Sequence, residues 1–213
     1  MSVSAMAVRE ILGVAPVIPV IVINDVRDAA PLARALVDGG LRVLEVTLRT
    51  AAGVEAIRLM REAVPEAIVG AGTVLNGAQL DAAVAAGSQF IVSPGFSRSL
   101  CQAGQAIGVP MLPGCVTASE VMAALDAGLD TLKFFPASRS GGAPLLKDFS
   151  AVFSQVRFCP TGGIDLRSAP DYLALPNVLC VGMSSIATAE AIQSGDFAGI
   201  TARAREAAGL RRP

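Results

Sequence analysis

The sequence predicts an α/β protein, a compact (β/α)8 TIM barrel in one domain that spans residues 1–213, with an extra helix at each end. Three observations support this prediction. Short runs of Val, Ile and Leu alternate with amphipathic stretches from one end of the chain to the other. Eight such strand–helix units follow one another. The strand-like runs are apolar on both faces, which is typical of parallel strands covered by helices.

The predicted strands are apolar runs bounded by glycine, proline or polar residues. They cover residues 16–23, 41–47, 67–71, 89–93, 111–112, 131–134, 157–159 and 178–181.

The predicted helices are the amphipathic stretches between these strands. They cover residues 25–38, 51–63, 77–86, 97–106, 118–127, 145–153, 168–175 and 187–194, with the two extra helices at 3–13 and 196–208. Thr117, followed three residues later by Glu120, predicts a capping box at the start of one helix.

An open, doubly wound sheet is the alternative fold. That fold usually has a GxGxxG turn after its first strand, whereas here the run 16–23 continues into Asn24 and Asp25. The chain has no linker, low-complexity tract or shift in composition, so we expect one domain. About 250 residues are usual for a (β/α)8 barrel, so 213 residues predict short loops.

The composition argues against nucleic-acid and membrane partners. The net charge is −1, which creates no basic field for nucleic acid or anionic lipid. No apolar stretch reaches the roughly 18–20 residues that cross a bilayer, and the first residues lack a signal-peptide pattern. We therefore expect a soluble, cytoplasmic protein.

The residue types also limit the possible chemistry. The chain has no histidine, which removes any Ser-His or Cys-His nucleophile. Its four cysteines are far apart and form no CxxC pair, so we expect buried thiols and no metal site. Proton transfer must then depend on Glu, Asp, Lys, Tyr or water.

Lys133 is one of only two lysines, and it lies within an apolar strand that ends at Pro136. Burial away from water disfavours the charged form of an amine, and the neutral amine is a nucleophile. Alternatively, the stem of Lys133 packs on the strand while its ammonium group reaches solvent.

Glu45 is an acidic residue in a setting similar to that of Lys133, since it lies inside the apolar run 41–47. The period of two places it on one face with Val43 and Thr47, which points either into the barrel or toward the helices. An inward carboxylate near a lysine can transfer protons. The alternative is a structural ion pair with Arg42, Arg49 or Lys133.

Arg49 follows the same strand, and Thr73 ends the next one. The planar guanidinium suits a carboxylate or a phosphate, and the hydroxyl adds a hydrogen-bond donor. A lysine, a glutamate and an arginine at strand ends together suit a keto acid. By itself, Arg49 could also be an ordinary surface residue.

Thr161, Gly162 and Gly163 follow the seventh predicted strand, and Gly182, Met183, Ser184 and Ser185 follow the eighth. These two loops are the usual phosphate site of this barrel, because glycines let backbone N–H groups approach the anion and hydroxyls add donors. Ordinary tight turns also favour glycine.

Five segments together resemble the 2-keto-3-deoxy-6-phosphogluconate (KDPG) aldolase family, whose members often also cleave 4-hydroxy-2-oxoglutarate (KHG). The segments are PVIPVI at 16–21, VLEVTLRT at 43–50, AIVGAGTVL at 67–75, KFFPA at 133–137 and QVRFCPTGGI at 155–164. The resemblance implies a class I aldolase, a (β/α)8 barrel, a homotrimer and no metal or other cofactor.

The resemblance also implies the role of each site residue. Lys133 would form the Schiff base and Glu45 would transfer protons. The remaining roles are substrate-carboxylate binding by Arg49 and Thr73, a pocket wall from Pro94 and Phe135, pyruvyl contact by Thr161, and phosphate binding by Gly162, Gly163 and Ser184. The chain departs from the family pattern at Met183 and Ser185, where a second glycine and a tryptophan are usual, and a side chain at position 183 could crowd the phosphate.

The expected reaction is reversible cleavage of KDPG to pyruvate and D-glyceraldehyde 3-phosphate, and of KHG to pyruvate and glyoxylate. Two other classes fit the same residues. A phosphosugar isomerase or epimerase would use Glu45 as base and need no imine. A non-catalytic sugar-phosphate binding protein would bind the substrate without releasing pyruvate.

Overall fold

The computed structural model describes residues 7–210. Ten α-helices and nine strands alternate within this range. The helices are α1 (Val8–Gly13), α2 (Ala29–Asp38), α3 (Gly53–Ala63), α4 (Gly77–Ala85), α5 (Arg98–Ala106), α6 (Ala118–Asp126), α7 (Gly142–Val152), α8 (Ala169–Leu173), α9 (Ala189–Gln193) and α10 (Phe197–Ala208). A 3-10 turn, Val26–Asp28, precedes α2.

The strands are β1 (Val17–Ile21), β2 (Val43–Thr47), β3 (Ile68–Gly72), β4 (Ile91–Val92), β5 (Met111–Leu112), β6 (Gly114–Cys115), β7 (Thr131–Phe134), β8 (Arg157–Pro160) and β9 (Val181–Met183). All of their pairings are parallel. Six strands form one sheet in the order β5-β4-β3-β2-β1-β9, and three form a second in the order β6-β7-β8. The α/β alternation predicted from the sequence is therefore confirmed.

Some bounds differ from those of the predicted elements. The strand expected at 111–112 is β5, and a second short strand, β6, follows it after Pro113. Pro113 interrupts the ladder between the two strands because proline has no backbone N–H. The strand expected at 178–181 is Val181–Met183, with Val178 making only an isolated bridge to Phe158. The extra helix expected at 3–13 is present from Val8, and residues 3–6 lie outside the described range.

Two apolar clusters hold the elements in place. The larger one lies between the strands and the helices and includes Leu44, Val46, Leu132 and Phe134. In the smaller one, side chains of α1 pack against the other face of the strands, and its buried members are Ile11, Leu12, Ile18, Val43, Ile68, Phe90, Val92, Leu112, Cys159 and Cys180. Burial of this apolar surface is the main force that stabilises the fold.

The capping box at Thr117 is confirmed, since its hydroxyl accepts a hydrogen bond from the Glu120 N–H and the Glu120 carboxylate accepts one from the Thr117 N–H. The four cysteines are buried thiols, as expected. No helix among residues 7–210 is long and apolar enough to cross a membrane. In the same range, no group of three or more His, Cys, Asp or Glu side chains is arranged to hold a metal ion.

Candidate active site

Lys133 and Glu45 meet in a buried ion pair. Lys133 Nζ donates a hydrogen bond of 3.0 Å to Glu45 Oε1, although 88 positions separate the two residues. Lys133 is 4% exposed and Glu45 is 3% exposed. Removal of either partner of such a pair would leave an uncompensated buried charge.

Strand alternation explains how the two side chains reach one another. Leu44 and Val46 pack on the helix side of β2, whereas Val43 lies in the smaller cluster on the opposite side. Glu45 has the same parity as Val43, so it points away from the helices. Lys133 does the same on β7, because Leu132 and Phe134 pack on the helix side. The structure thus decides which way Glu45 points and which cation it pairs with.

Gly72 on β3 provides the space for the Glu45 carboxylate. A Cβ built on Gly72 would overlap Glu45 Oε1, and a larger residue would push the carboxylate away from Lys133. Sequence reasoning did not identify Gly72 as a site residue. The sequence does contain an indication of this role. Gly70 and Gly72 are two residues apart and lie on the same face of a strand, and glycine inside a strand often marks close approach of a neighbouring group.

Phe135 lies beside the ion pair. Lys133 Nζ is 5.3 Å from the centroid of the Phe135 ring, a distance at which a cation is attracted by the ring face. The ring also lies 3.3 Å from the position that a Cβ on Gly162 would occupy. Phe135 therefore contacts both the lysine and the glycine segment after β8.

Arg49 and Thr73 are in direct contact, as their neighbouring positions at strand ends suggested. Arg49 Nε donates a hydrogen bond of 3.2 Å to Thr73 Oγ1. Thr73 has a φ of 59°, a left-handed conformation that is unfavourable for a β-branched residue. Backbone strain of this kind is concentrated at functional sites.

Arg49 also lines a cavity of about 400 Å³ together with the hydroxyl-bearing residues Ser184, Ser185 and Thr188. The structure therefore brings Arg49 and Ser184 to one opening. Gly114 on β6 is in register with Lys133 on β7. A Cβ on Gly114 would overlap the Pro94 carbonyl group, so Pro94 lies against β6, the strand next to Lys133.

Thr161, Gly162 and Gly163 form a tight turn after β8. Gly162 and Gly163 have φ values of 101° and 72°, which glycine adopts without strain. The turn is held by the next segment of chain, because Ala137 N donates to Thr161 O at 2.8 Å and Ser138 N donates to Gly162 O at 3.0 Å. Ser138, which sequence reasoning missed, places its hydroxyl so close to Gly163 that a Cβ there would overlap it.

Strand β9 lies beside this turn, since Thr161 and Gly182 form a parallel bridge. A Cβ on Gly182 would overlap the Thr161 side chain, so this glycine permits the close approach. Met183 is fully buried in the larger core cluster on the helix side. Strand alternation turns the Met183 side chain away from the face on which Gly182 meets Thr161, so this side chain packs in the core.

Residues 8–203 match the family model for KDPG and KHG aldolase. The chain belongs to this family. It is 53% identical over 199 residues to the 2-dehydro-3-deoxy-phosphogluconate aldolase of Dickeya dadantii, with 93% of each chain covered. It is 52% identical over 199 residues to the KHG/KDPG aldolase of Escherichia coli, again with 93% of each chain covered.

Two crystal structures of family members have the same fold as this chain. The 2-keto-3-deoxy-6-phospho-gluconate aldolase of Zymomonas mobilis superposes with a TM-score of 0.92 at 52% identity, covering 97% of this chain and 98% of that one. The KDPG aldolase of Legionella pneumophila, which holds pyruvate as a covalent carbinolamine intermediate, superposes with a TM-score of 0.94 at 46% identity, covering 96% and 99%.

Proposed function

We propose that this chain is a class I aldolase that reversibly cleaves KDPG to pyruvate and D-glyceraldehyde 3-phosphate, and that it also cleaves KHG to pyruvate and glyoxylate. The observation that carries the proposal is the buried contact of 3.0 Å between Lys133 Nζ and Glu45 Oε1. An amine needs a nearby base to become a nucleophile, and here the carboxylate is that base. Capture of pyruvate as a carbinolamine by the Legionella relative supports the same chemistry.

The substrate contacts that we propose rest on the family resemblance and on the chemistry of each group. Arg49 and Thr73 bind the carboxylate of the keto acid, since a guanidinium and a hydroxyl suit that anion. Pro94 and Phe135 line the pocket, and Thr161 contacts the pyruvyl group. Backbone N–H groups of Gly162 and Gly163, together with the Ser184 hydroxyl, bind the phosphate.

The reaction begins with proton transfer from the Lys133 ammonium to the Glu45 carboxylate, which yields a free amine and a carboxylic acid. The amine attacks C2 of the keto acid to form a carbinolamine. Glu45 then returns a proton to the departing hydroxyl, and loss of water leaves an iminium on Lys133. The iminium is the electron sink, so the cleavage step requires no divalent cation.

In the cleavage step, the same carboxylate accepts a proton instead of donating one. Glu45, directly or through a water molecule, takes the proton of the C4 hydroxyl, the C3–C4 bond breaks, and its electron pair enters an enamine. The aldehyde product leaves, and Glu45 protonates C3. Water then hydrolyses the resulting iminium, which frees pyruvate and restores the Lys133 amine.

We also propose that residues 1–213 form one closed (β/α)8 domain. Three features support closure. β1 lies between β2 and β9, so the first and last strands are neighbours. Only Pro113 separates β5 from β6, and Lys133 N donates to its carbonyl oxygen at 2.8 Å. The bridges Phe158–Val178 and Thr161–Gly182 connect β8 to the segment that contains β9.

A homotrimer in the cytoplasm completes the proposal and rests on the family. Light scattering coupled to size-exclusion chromatography tests the oligomer. We expect about three times the chain mass of 21.7 kDa, and a single-chain mass would contradict it.

Incubation with pyruvate and borohydride, followed by peptide mass analysis, tests the chemistry. We expect one reduced pyruvyl adduct on the peptide that contains Lys133, with Lys147 as the internal control because it is an exposed lysine. Lys133→Arg should abolish both the adduct and KDPG-dependent pyruvate release, which a coupled lactate dehydrogenase assay measures. An isomerase would keep its activity in Lys133→Arg, and a binding protein would release no pyruvate.

A further inference from the structure

The C-terminal helix α10 is attached to the loop that carries Ser184 and Ser185. Arg203, on α10, donates a hydrogen bond of 3.0 Å from Nε to the carbonyl oxygen of Ile186. Ile186 is fully buried, whereas Ser184 and Ser185 are exposed and line the cavity that Arg49 also lines. The hydrogen bond therefore anchors the backbone two residues after Ser184.

The surroundings of Arg203 show that this contact is specific. Arg203 Nη1 lies 3.6 Å from Asp196 Oδ2, and Asp196 Oδ1 accepts a hydrogen bond of 2.9 Å from Gly199 N at the start of α10. Arg203 Nη2 is buried and has no hydrogen-bond partner within residues 7–210. The guanidinium is thus held by two groups, the Ile186 carbonyl and the Asp196 carboxylate.

The parallel bridge between Thr161 and Gly182 sets the register of the two loops. Gly163 and Ser184 each follow this bridge by two residues, just beyond the ends of β8 and β9. A serine hydroxyl contributes to anion binding only when its loop is held within a fraction of an ångström of the productive geometry. The Arg203–Ile186 hydrogen bond is a rigid connection of this kind.

We propose that Arg203 is a positioning residue for the phosphate of the substrate. It holds the loop 184–187 so that the Ser184 hydroxyl faces the Gly162–Gly163 turn, and it touches no substrate atom itself. This inference rests on the proposed function, in which those residues bind the phosphate. It assigns a role in phosphate positioning to a helix that lies outside the alternating strand–helix units.

The test uses Arg203→Met in the full chain, with Arg205→Met as the matched control because Arg205 is an exposed arginine of the same helix. We expect the KM for KDPG to rise about tenfold in Arg203→Met while kcat stays within about twofold, since the lost interaction acts on binding. Inhibition by inorganic phosphate should weaken by a similar factor. The pyruvate concentration that half-saturates borohydride trapping should not change, because pyruvate has no phosphate.

Three results would overturn the inference. They are an unchanged KM for KDPG, an equal loss of KDPG and pyruvate binding that follows the loss of thermal stability, and an equal effect in Arg205→Met. Arg203→Lys serves as a second variant if Arg203→Met does not fold, and we expect it to show the same selective loss in smaller degree. Failure of the unmutated chain to trap pyruvate would instead refute the proposed function.

Discussion

Gly72 lies directly against Glu45, so that a Cβ on Gly72 would overlap Oε1, the same oxygen that accepts the hydrogen bond from Lys133. The ion pair in the candidate site thus depends on a missing side chain on a third strand. Strand β2 carries the Glu45 carboxylate, β7 carries the Lys133 amine, and β3 carries Gly72, which has no side chain.

Gly72→Ala should displace the Glu45 carboxylate from Lys133. Because misplacement of a catalytic group by about 1 Å can reduce the rate roughly 100-fold, we expect kcat for KDPG cleavage to fall about 10- to 100-fold. Gly77→Ala is the control, since a Cβ there meets nothing within 4 Å. Equal kcat values for the two variants would contradict the proposed contact.

Glu45→Gln should separate the chemical role of the carboxylate from its shape. Loss of a positioned acid–base group is expected to reduce kcat about 10²- to 10⁴-fold. The buried Lys133 would also lose its counter-charge, so we expect the free energy of unfolding to fall by about 3 kcal/mol in urea titrations at pH 7.

Glu55→Gln is the control for stability, because it removes one partner of an exposed ion pair with Arg58. Such pairs contribute only about 0–1 kcal/mol. A similar loss of stability in the Glu45 and Glu55 variants would argue against a desolvated Lys133–Glu45 pair.

Thr73 combines backbone strain with a contact to Arg49. Thr73→Gly should relieve the left-handed strain at φ 59° and raise the free energy of unfolding by about 1 kcal/mol. Thr73→Val keeps the β-branch and its strain but removes the hydroxyl. Both variants lose the acceptor for Arg49 Nε, so both should bind pyruvate more weakly, by about three- to tenfold.

Urea unfolding and borohydride trapping measure the two effects separately. We expect stability and pyruvate affinity to move in opposite directions in Thr73→Gly. A Thr73→Gly variant with unchanged pyruvate affinity would contradict this expectation.

Glu120 makes stability depend on pH at the start of α6. Burial alone would raise the pKa of Glu120, but hydrogen bonds from Thr117 N, Val116 N and the Thr117 hydroxyl outweigh it and lower the pKa below 4.5. A lowered pKa in the folded state stabilises the protein above pH 4.5, and this contribution is lost as the pH falls through the folded pKa.

Glu120→Gln should therefore cost about 1 kcal/mol at pH 7, because a neutral amide oxygen accepts these hydrogen bonds less strongly than a carboxylate does. The difference in free energy of unfolding between Glu120→Gln and the unmutated chain should be smaller at pH 3. At that pH a larger fraction of the Glu120 carboxylate is protonated than at pH 7, in both the folded and the unfolded state. Urea titrations at the two pH values provide the measurement. A difference that stays constant with pH would show that the charge of Glu120 plays no part.

Much of the candidate site could be predicted because its residues stand out locally. A lysine and a glutamate inside apolar strands are unusual, and the sequence alone indicates both Lys133 and Glu45. It does not indicate Gly72, Ser138 and Arg203, because their importance lies in contacts across long sequence separations. A glycine at a strand end looks the same whether it forms a turn or makes room for another residue's carboxylate.

The amino-acid pattern alone determined the alternation of strands and helices, since the periods of hydrophobic residues are local properties of the chain. The tertiary structure decided which face of β2 turns away from the helices, that Glu45 pairs with Lys133, and that Met183 packs on the helix side. The physical reason is that a period of two assigns residues to two faces without saying which face is which. Packing of distant elements against one face makes that choice.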